Sequence, residues 1–555
     1  MYGAVPLARA PRSPRLPRVV VATMAGAALL LGAFVATVKR REAPALAVAP
    51  YVAADPLGEA PLGYATALGG ALAGMVARTD AAFADTCVAR NPARQGTPLA
   101  VAPVAGVDDV VAALAFARAN RVRVTVFSTG HDYDGKSTGD DALTLDLSAM
   151  RWVDVDPAKK TARVGPATRW LEVFEAAAPH GLVPVSGYDS SVGVSGFLMG
   201  GGHGALSRAK GLGCDQVLGV TLVTADGAIR SLSAASEGLD GELFWALRGG
   251  GGGTFGVVTE WLLRLHDAPR DVVQVTGVVG FKEKEAEVRR ALTGAIHNAS
   301  WWRALDRGWS GWPSLSRYVR PDGTVGGVFQ PLFIYSGDDA DPLAAGTPMR
   351  AMLDLFPADL LNVTRLPSLL AFEEHLGSIR NGEGVRQAIG NIFASAADLN
   401  DGGGERLTDF VVGEIKRTDA AAMAADYNVW YNTVLGGAVA EQPPTAVSPG
   451  FRDSVIELGP NVHWFDAADD AANSAFGAQF SRELNAFGST SYFNEWSAPD
   501  ALDDVFADWR TRFFGPHYDR LLAAKRAADP CGVFWVHHGV GSDVRAYDAR
   551  NGCAY

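Results

Sequence analysis

Apolar positions recur at helical spacing over Asp108–Asn120 (DDVVAALAFARAN), and the acidic first turn suits the positive end of a helix. The pattern then switches to alternation. Val122–Phe127 reads as a strand, as does Leu143–Leu147, and Val153–Val155 with Thr161–Val164 reads as a strand pair around a proline-containing turn. Trp170–Ala177 returns to a helical pattern. Val217–Ser233 holds two β-rich runs joined at Ala225-Asp226-Gly227, which predicts a hairpin. A short helix follows over Asp240–Arg248, then a strand over Gly256–His266. From about Asp267 the glycine clusters thin, and alternating runs such as Val325–Tyr335 appear among many aromatics, including Trp301, Trp302, Trp309, Trp312, Tyr427, Trp430 and Tyr431. This change of texture marks a separate α+β domain, in which each single aromatic is first of all core.

The 555 residues are 48% hydrophobic and 20% charged, a globular composition long enough for about three domain-sized units. A net charge of −12 argues against nucleic acid as a partner. One stretch departs from that composition. Val19–Val38 is twenty apolar residues, flanked by Arg9, Arg12, Arg15 and Arg18 before and by Lys39, Arg40 and Arg41 after. That length spans a bilayer core, so we expect residues 1–49 to anchor the chain in a membrane with the catalytic body outside the cytoplasm, or to direct secretion after cleavage. Residues from about Ala43 to Pro61 are rich in Ala and Pro and read as a linker, and linker and N-terminal extension together take 50–91. Cys87, Cys214, Cys531 and Cys553 form no C-x-x-C pattern, so a zinc or redox motif is not indicated, and one or two disulfides are compatible with an oxidising compartment. No H-E-x-x-H or comparable spacing indicates a metal, and His537-His538 read as packing or hydrogen-bonding residues.

The glycine-rich loop after Val122–Phe127 carries the chemistry. Gly130–Ser137 (GHDYDGKS) satisfies the G-x-x-x-x-G-K-[ST] pattern of a nucleoside-triphosphate loop, and Gly135–Gly139 satisfies G-x-S-x-G. Both patterns need a helix directly after the motif, whereas this chain continues into a turn and an alternating run. Asp132 and Asp134 would also repel a triphosphate. A second glycine run, Arg248–Gly256 (RGGGGGTFG), contains G-x-G-x-x-G, but it follows a helix and opens a strand, the reverse of the dinucleotide fingerprint order. What both loops share is successive backbone N–H groups able to hold an anionic, extended cofactor.

Three ordered segments together resemble the berberine bridge enzyme-like branch of the vanillyl-alcohol oxidase superfamily. They are Val104–Gly139 with its S-T-G-H-D-Y, then Val192–Gly227 followed by LFWALRGGGGGTFGVVTEW, and finally Tyr492-Phe-Asn494 with Phe513–Ser542. The ending VHHGVGS is most similar to fungal-type members that include alcohol oxidases. The resemblance implies an α+β fold: a two-subdomain PCMH-type FAD-binding domain (92–269) interrupted by a substrate domain with an antiparallel sheet (270–484), and a C-terminal segment (485–546) that returns to the FAD domain.

It also implies site residues. Ser128, Thr129, Gly130, His131, Asp132 and Tyr133 match the flavin-linking loop, with His131 bonded to the flavin 8α-methyl carbon. Gly193, Gly196, Gly200, Gly201, Gly202, His203 and Gly204 match the second cofactor loop, where His203 either touches flavin or braces the loop. Gly256, Val257 and Val258 match the third. Many members carry a second, cysteinyl link; here Asp189 stands in that place, so a single covalent bond is expected. Tyr492 is the candidate base and Asn494 an orienting contact, although Glu495 stands where plant members often have a further tyrosine. The implied reaction is oxidation of an alcohol or carbohydrate hydroxyl by FAD, with oxygen or another electron acceptor. A P-loop ATPase, tested through Lys136, and a non-catalytic flavin-binding protein on the same scaffold are the alternatives.

Overall fold

Strands Ala100–Pro103, Leu143–Asp146 and Val124–Phe127 lie side by side and parallel, with Val76–Ala77 antiparallel on the outer edge. Parallel neighbours need a crossover, and helix Val107–Asn120 supplies it. The helix has Asp108 and Asp109 in its first turn and ends at Arg121, whose φ of 56° lets its N–H reach back to Ala117 and Arg118. The free edge beyond Val124 is taken by the end of the chain. Val124 N–H donates to Val533 at 2.7 Å, and Val124 forms a parallel bridge with Phe534.

These positions come from a computed structural model that describes residues 74–320, 322–378, 384–443, 445–497 and 507–543. The stretch Val19–Val38 lies outside the described residues; among those described, no helix is long and apolar enough to cross a membrane. The segment from Gly74 to Asn91, expected as extension and linker, is packed in place. Val76–Ala77 joins the first sheet, and Arg90 N–H donates to the Gly130 carbonyl at 2.8 Å.

A second sheet orders Val153–Asp156, Thr161–Val164, Val257–Arg264, Val217–Val223 and Ile229–Ser233, all antiparallel. Its outer hairpin is the one the sequence predicts. The fully buried Trp261 and Trp170 pack in its core, and either truncated to Ala would cost about 3–5 kcal/mol. The short helix expected over Asp240–Arg248 runs Gly238–Ala246, so the loop that carries the glycine run begins two residues earlier. Buried Lys525 ties that run to the C-terminal segment by donating to Thr254 and Phe534 carbonyls at 2.7 and 2.8 Å and pairing with Asp529.

The middle third builds two further antiparallel sheets, one of seven strands and one of four. The alternating run Val325–Tyr335 is divided between them at Pro331, which has no N–H to continue a ladder. Val325–Gln330 pairs with Ser314–Val319 in the larger sheet, and Leu332–Gly337 pairs with Asp271–Gly277 in the smaller. In the larger sheet, Asp426–Asn432 lies beside the long strand Ser454–Trp464, with Asn432 directly opposite Glu457.

Candidate active site

Two glycine loops meet where Val124–Phe127 ends. Gly130 has φ of +70°, and a Cβ there would stand 2.7 Å from the Phe127 ring. Gly193 precedes helix Val194–Gly200, and a Cβ on it would lie 2.5 Å from Thr129 Oγ1. The first loop therefore closes on the second only because Gly193 has no side chain. Further along, Gly201 (φ +124°) and Gly202 (φ +76°) adopt backbone that other residues rarely adopt, and a Cβ on Gly204 would sit 1.9 Å from the Ser186 carbonyl oxygen. Gly196 faces open space. This is a cradle of bare backbone, and it fits the pyrophosphate of a dinucleotide.

His131 stands at the junction of the loops. Its Nε2 lies 2.8 Å from Ser191 Oγ and 3.3 Å from Arg90. Ser191 donates from Oγ (2.5 Å) and from its backbone N–H (2.9 Å) to Asp189 Oδ1, and Arg90 pairs with Asp189 at 3.3 Å. Burial, reinforced by the Arg90 guanidinium, pulls the His131 imidazole down to about 3, so the ring is neutral at physiological pH. Burial alone would raise the Asp189 carboxyl; the Arg90 guanidinium and the Ser191 hydrogen bonds help bring it below the usual range.

The rest of the first loop is folded on itself. Asp132 Oδ1 accepts from the N–H groups of Asp134 and Lys136, at 2.9 and 2.8 Å. Lys136 is buried, lies 3.4 Å from Asp132 and 3.8 Å from Asp134, and rests over the Phe493 ring. Asp134 is also held by His537 at 3.1 Å and Arg94 at 3.2 Å. The chain then turns into Leu143–Asp146 without a helix. A lysine neutralised by two carboxylates and no following helix leave nothing of a triphosphate loop. The backbone carbonyl of Tyr133 accepts from Asn91 at 2.8 Å, and burial pushes its phenol up to about 12.

The third part comes from the C-terminal segment and the seven-stranded sheet. Asn391 fixes the Tyr492–Glu495 turn: its Oδ1 accepts from Tyr492 N–H at 2.6 Å, and its Nδ2 donates to the carbonyls of Tyr492 and Glu495 at 3.0 and 2.8 Å. Asn494 donates to the Gly196 carbonyl at 2.8 Å and to Tyr492 Oη at 3.1 Å, and so joins this turn to the second glycine loop. Behind Tyr492 lies a polar cluster. Asn432 Nδ2 is 3.1 Å from Glu457, 3.0 Å from Glu495 and 3.2 Å from His203 Nε2, and His203 is itself 3.3 Å from both carboxylates. The ligand atoms of His203, Glu457 and Glu495 lie within 4.8 Å of one another. Two amide hydrogens of Asn432 already point into that space, which marks a hydrogen-bonded carboxylate pair rather than a cation cage.

Burial, then Glu495 and Glu457, push the Tyr492 phenol well above its ordinary value, so Tyr492 holds its proton and does not act as an unaided base. Val257 and Val258 place their side chains in hydrophobic cores and their backbone in the second sheet, so of the third group only Gly256, with φ of +152°, has the character of a loop glycine. His203 is neither solvated nor idle; it bridges the two glutamates. Cys87 and Cys214 are buried and free, with thiols pushed up by burial, and Cys531 is disulfide-bonded.

Arg90, Ser191, Asn432 and Glu457 escaped sequence reasoning. Ser191 lay in the stretch already inspected for a cysteine. Asn432 and Glu457 are opposed only through strand register, which no local motif encodes.

Comparison with known proteins agrees with this geometry. Residues 98–233 match the FAD binding domain family, and residues 491–541 match the family described as berberine and berberine like. The VAO-type flavoprotein oxidase VAO615 of Thermothelomyces thermophilus is 30% identical over 81% of this chain and 77% of its own length. The FAD-linked oxidoreductase ZEB1 of Gibberella zeae is 45% identical over 79% of this chain and 75% of its own. A solved chitooligosaccharide oxidase superposes with a TM-score of 0.68 at 20% identity, covering 84% of this chain and 96% of that one.

Proposed function

The chain is an FAD-linked oxidase of the berberine bridge enzyme-like branch of the vanillyl-alcohol oxidase superfamily, and from that premise we propose that it oxidises a hydroxyl-bearing carbon of an alcohol or carbohydrate, with FAD bonded through His131 and dioxygen as electron acceptor. The observation that carries this reading is the closure of the His131 loop on the second glycine loop, with a carboxylate pair behind Tyr492. FAD would lie along the two loops, held by the backbone about Thr129, Gly193 and Gly196, and would supply the hydride-accepting chemistry.

The protein's part is to bind, orient and manage one proton. Burial and the neighbouring Glu495 push the Glu457 carboxyl well above the usual carboxylate range, so it keeps its proton at neutral pH. Two carboxyls bridged by one amide and one imidazole share a single negative charge. Glu495, partly exposed, is the member that meets substrate. In this reading Glu495 takes the substrate hydroxyl proton, Tyr492 donates a hydrogen bond to the same oxygen, and Asn494 fixes the phenol. The expected single link follows from Asp189 occupying the place of a cysteine. A chitooligosaccharide oxidase on the same fold makes oligosaccharides natural members of a substrate screen.

The test is a visible spectrum of the purified protein, then acid precipitation, then an alcohol and oligosaccharide screen with peroxide detection. Yellow precipitate and substrate-dependent peroxide support the reading. Colourless protein after FAD supplementation, or no peroxide and no bleaching with any hydroxyl compound, rejects it.

A further inference from the structure

We propose that Ser191 and Asp189 form a relay that sets the tautomer of His131 and stabilises the positive charge its ring gains as the flavin bond forms. The proposal rests on the reading of His131 as the attachment point. A carboxylate only accepts hydrogen bonds. Ser191 Oγ lies 2.5 Å from Asp189 Oδ1, so the single hydroxyl proton is committed to Asp189. The same oxygen lies 2.8 Å from His131 Nε2 and must accept there, which places the ring proton on Nε2. A neutral imidazole then carries its lone pair on Nδ1. Arg90 stands 3.3 Å from that Nε2, but a protonated nitrogen cannot accept from it. The guanidinium serves instead to hold Asp189, also at 3.3 Å.

The arrangement is rigid for a physical reason. Asp189 Oδ1 also accepts from the Ser191 backbone N–H at 2.9 Å, so a tight turn sets the relay, not a long side chain. The logic is that of an acid–histidine pair, in which a carboxylate fixes the tautomer and stabilises the positive charge that builds on the ring. Where resembling sequences carry a cysteine that makes a second bond, this chain carries the group that assists the first.

The step balances as follows. A bond forms between Nδ1 and the carbon of the flavin 8α-methyl group. One C–H bond of that methyl and the Nε2–H bond of His131 break. As the bond to Nδ1 forms the ring gains positive charge, which Ser191 and Asp189 stabilise until the Nε2 proton leaves by way of Ser191 to solvent. The electron pair of the C–H bond goes to dioxygen, which takes up two protons, matching those released from the C–H and Nε2–H bonds, and leaves as hydrogen peroxide.

The experiment measures covalent incorporation in Asp189→Asn, Ser191→Ala and Ser191→Thr, by following acid-precipitable flavin over time after FAD is added to flavin-poor protein. Total bound flavin is read from the visible spectrum in parallel. We expect D189N and S191A to bind FAD yet link it on the order of 10²-fold more slowly, the usual yield of a positioned acid–base group, with S191T near wild type because it keeps the hydroxyl. Wild-type linking rates in both D189N and S191A would overturn the relay. Loss of all FAD binding in both would also overturn it, since the pair would then shape the pocket. Wild-type protein that never links flavin would instead refute the His131 attachment, which the variants leave untouched.

Discussion

Gly193→Ala tests whether the two glycine loops form one cradle. Gly193 has φ −76° and ψ 141°, backbone that alanine adopts freely, so the substitution acts by contact alone. The new Cβ would meet Thr129 Oγ1 at 2.5 Å, Cγ2 at 2.7 Å and Cβ at 3.2 Å. Overpacking of this kind costs about 1–3 kcal/mol, or about 5- to 150-fold in an equilibrium. Thr129→Ala removes the two nearest atoms and leaves the contact at 3.2 Å, which a shift of a few tenths of an ångström relieves. The assay is FAD affinity in a His131→Ala background, where binding is reversible and flavin fluorescence quenching gives Kd. G193A should weaken FAD about tenfold. T129A/G193A should return to within about threefold of T129A alone, a coupling of about 0.7 kcal/mol or more. An unchanged Kd in G193A, or a double variant as weak as the sum of the two, would show that the loops do not clasp the cofactor together.

Glu495→Gln should cut turnover on any substrate found by about 10²-fold or more; turnover near wild type in E495Q would reassign the base. Glu457→Gln tests the shared charge. The folded protein holds the Glu457 proton where an unfolded glutamate loses it, so wild type should lose stability relative to E457Q as pH rises above about 4.3, by up to about 1.4 kcal/mol per pH unit, and the two should converge below it; parallel urea midpoints across pH 4–8 would contradict this. Cys87 and Cys214 should resist alkylation in the folded protein and react on denaturation, and rapid native labelling of either would contradict their burial. Lys136→Ala should leave ATP affinity undetectable, as in wild type, while lowering stability through the stranded Asp132 and Asp134; a wild type that binds ATP would revive the discarded loop reading.

What the sequence made legible is what neighbours along the chain decide. Helical spacing placed Val107–Asn120 within a residue and Trp170–Ala177 at both ends, because apolar period and acidic first turns are local signals. The His131 loop was legible for the same reason: glycine, turn and missing helix all lie within about a dozen residues. The rest depends on partners far away in sequence. Pro331 moves the chain from one sheet to another, a choice that the alternation on either side does not reveal. Asn432 meets Glu457 through register, and Glu495 completes the cluster from a later segment. Arg90 sits in the stretch expected as an N-terminal extension, yet it pairs with Asp189 beside His131. The burial that raises the Tyr492 phenol cannot be read from a Y-x-N motif.

The central claim is that His131 carries the flavin. Proteolysis of the purified, acid-washed protein followed by mass spectrometry of the peptide containing His131 decides it. The account predicts a flavin mass increment on that peptide in wild type and its absence in H131A. An unmodified His131 peptide, with the yellow colour recovered in the acid supernatant, would contradict it.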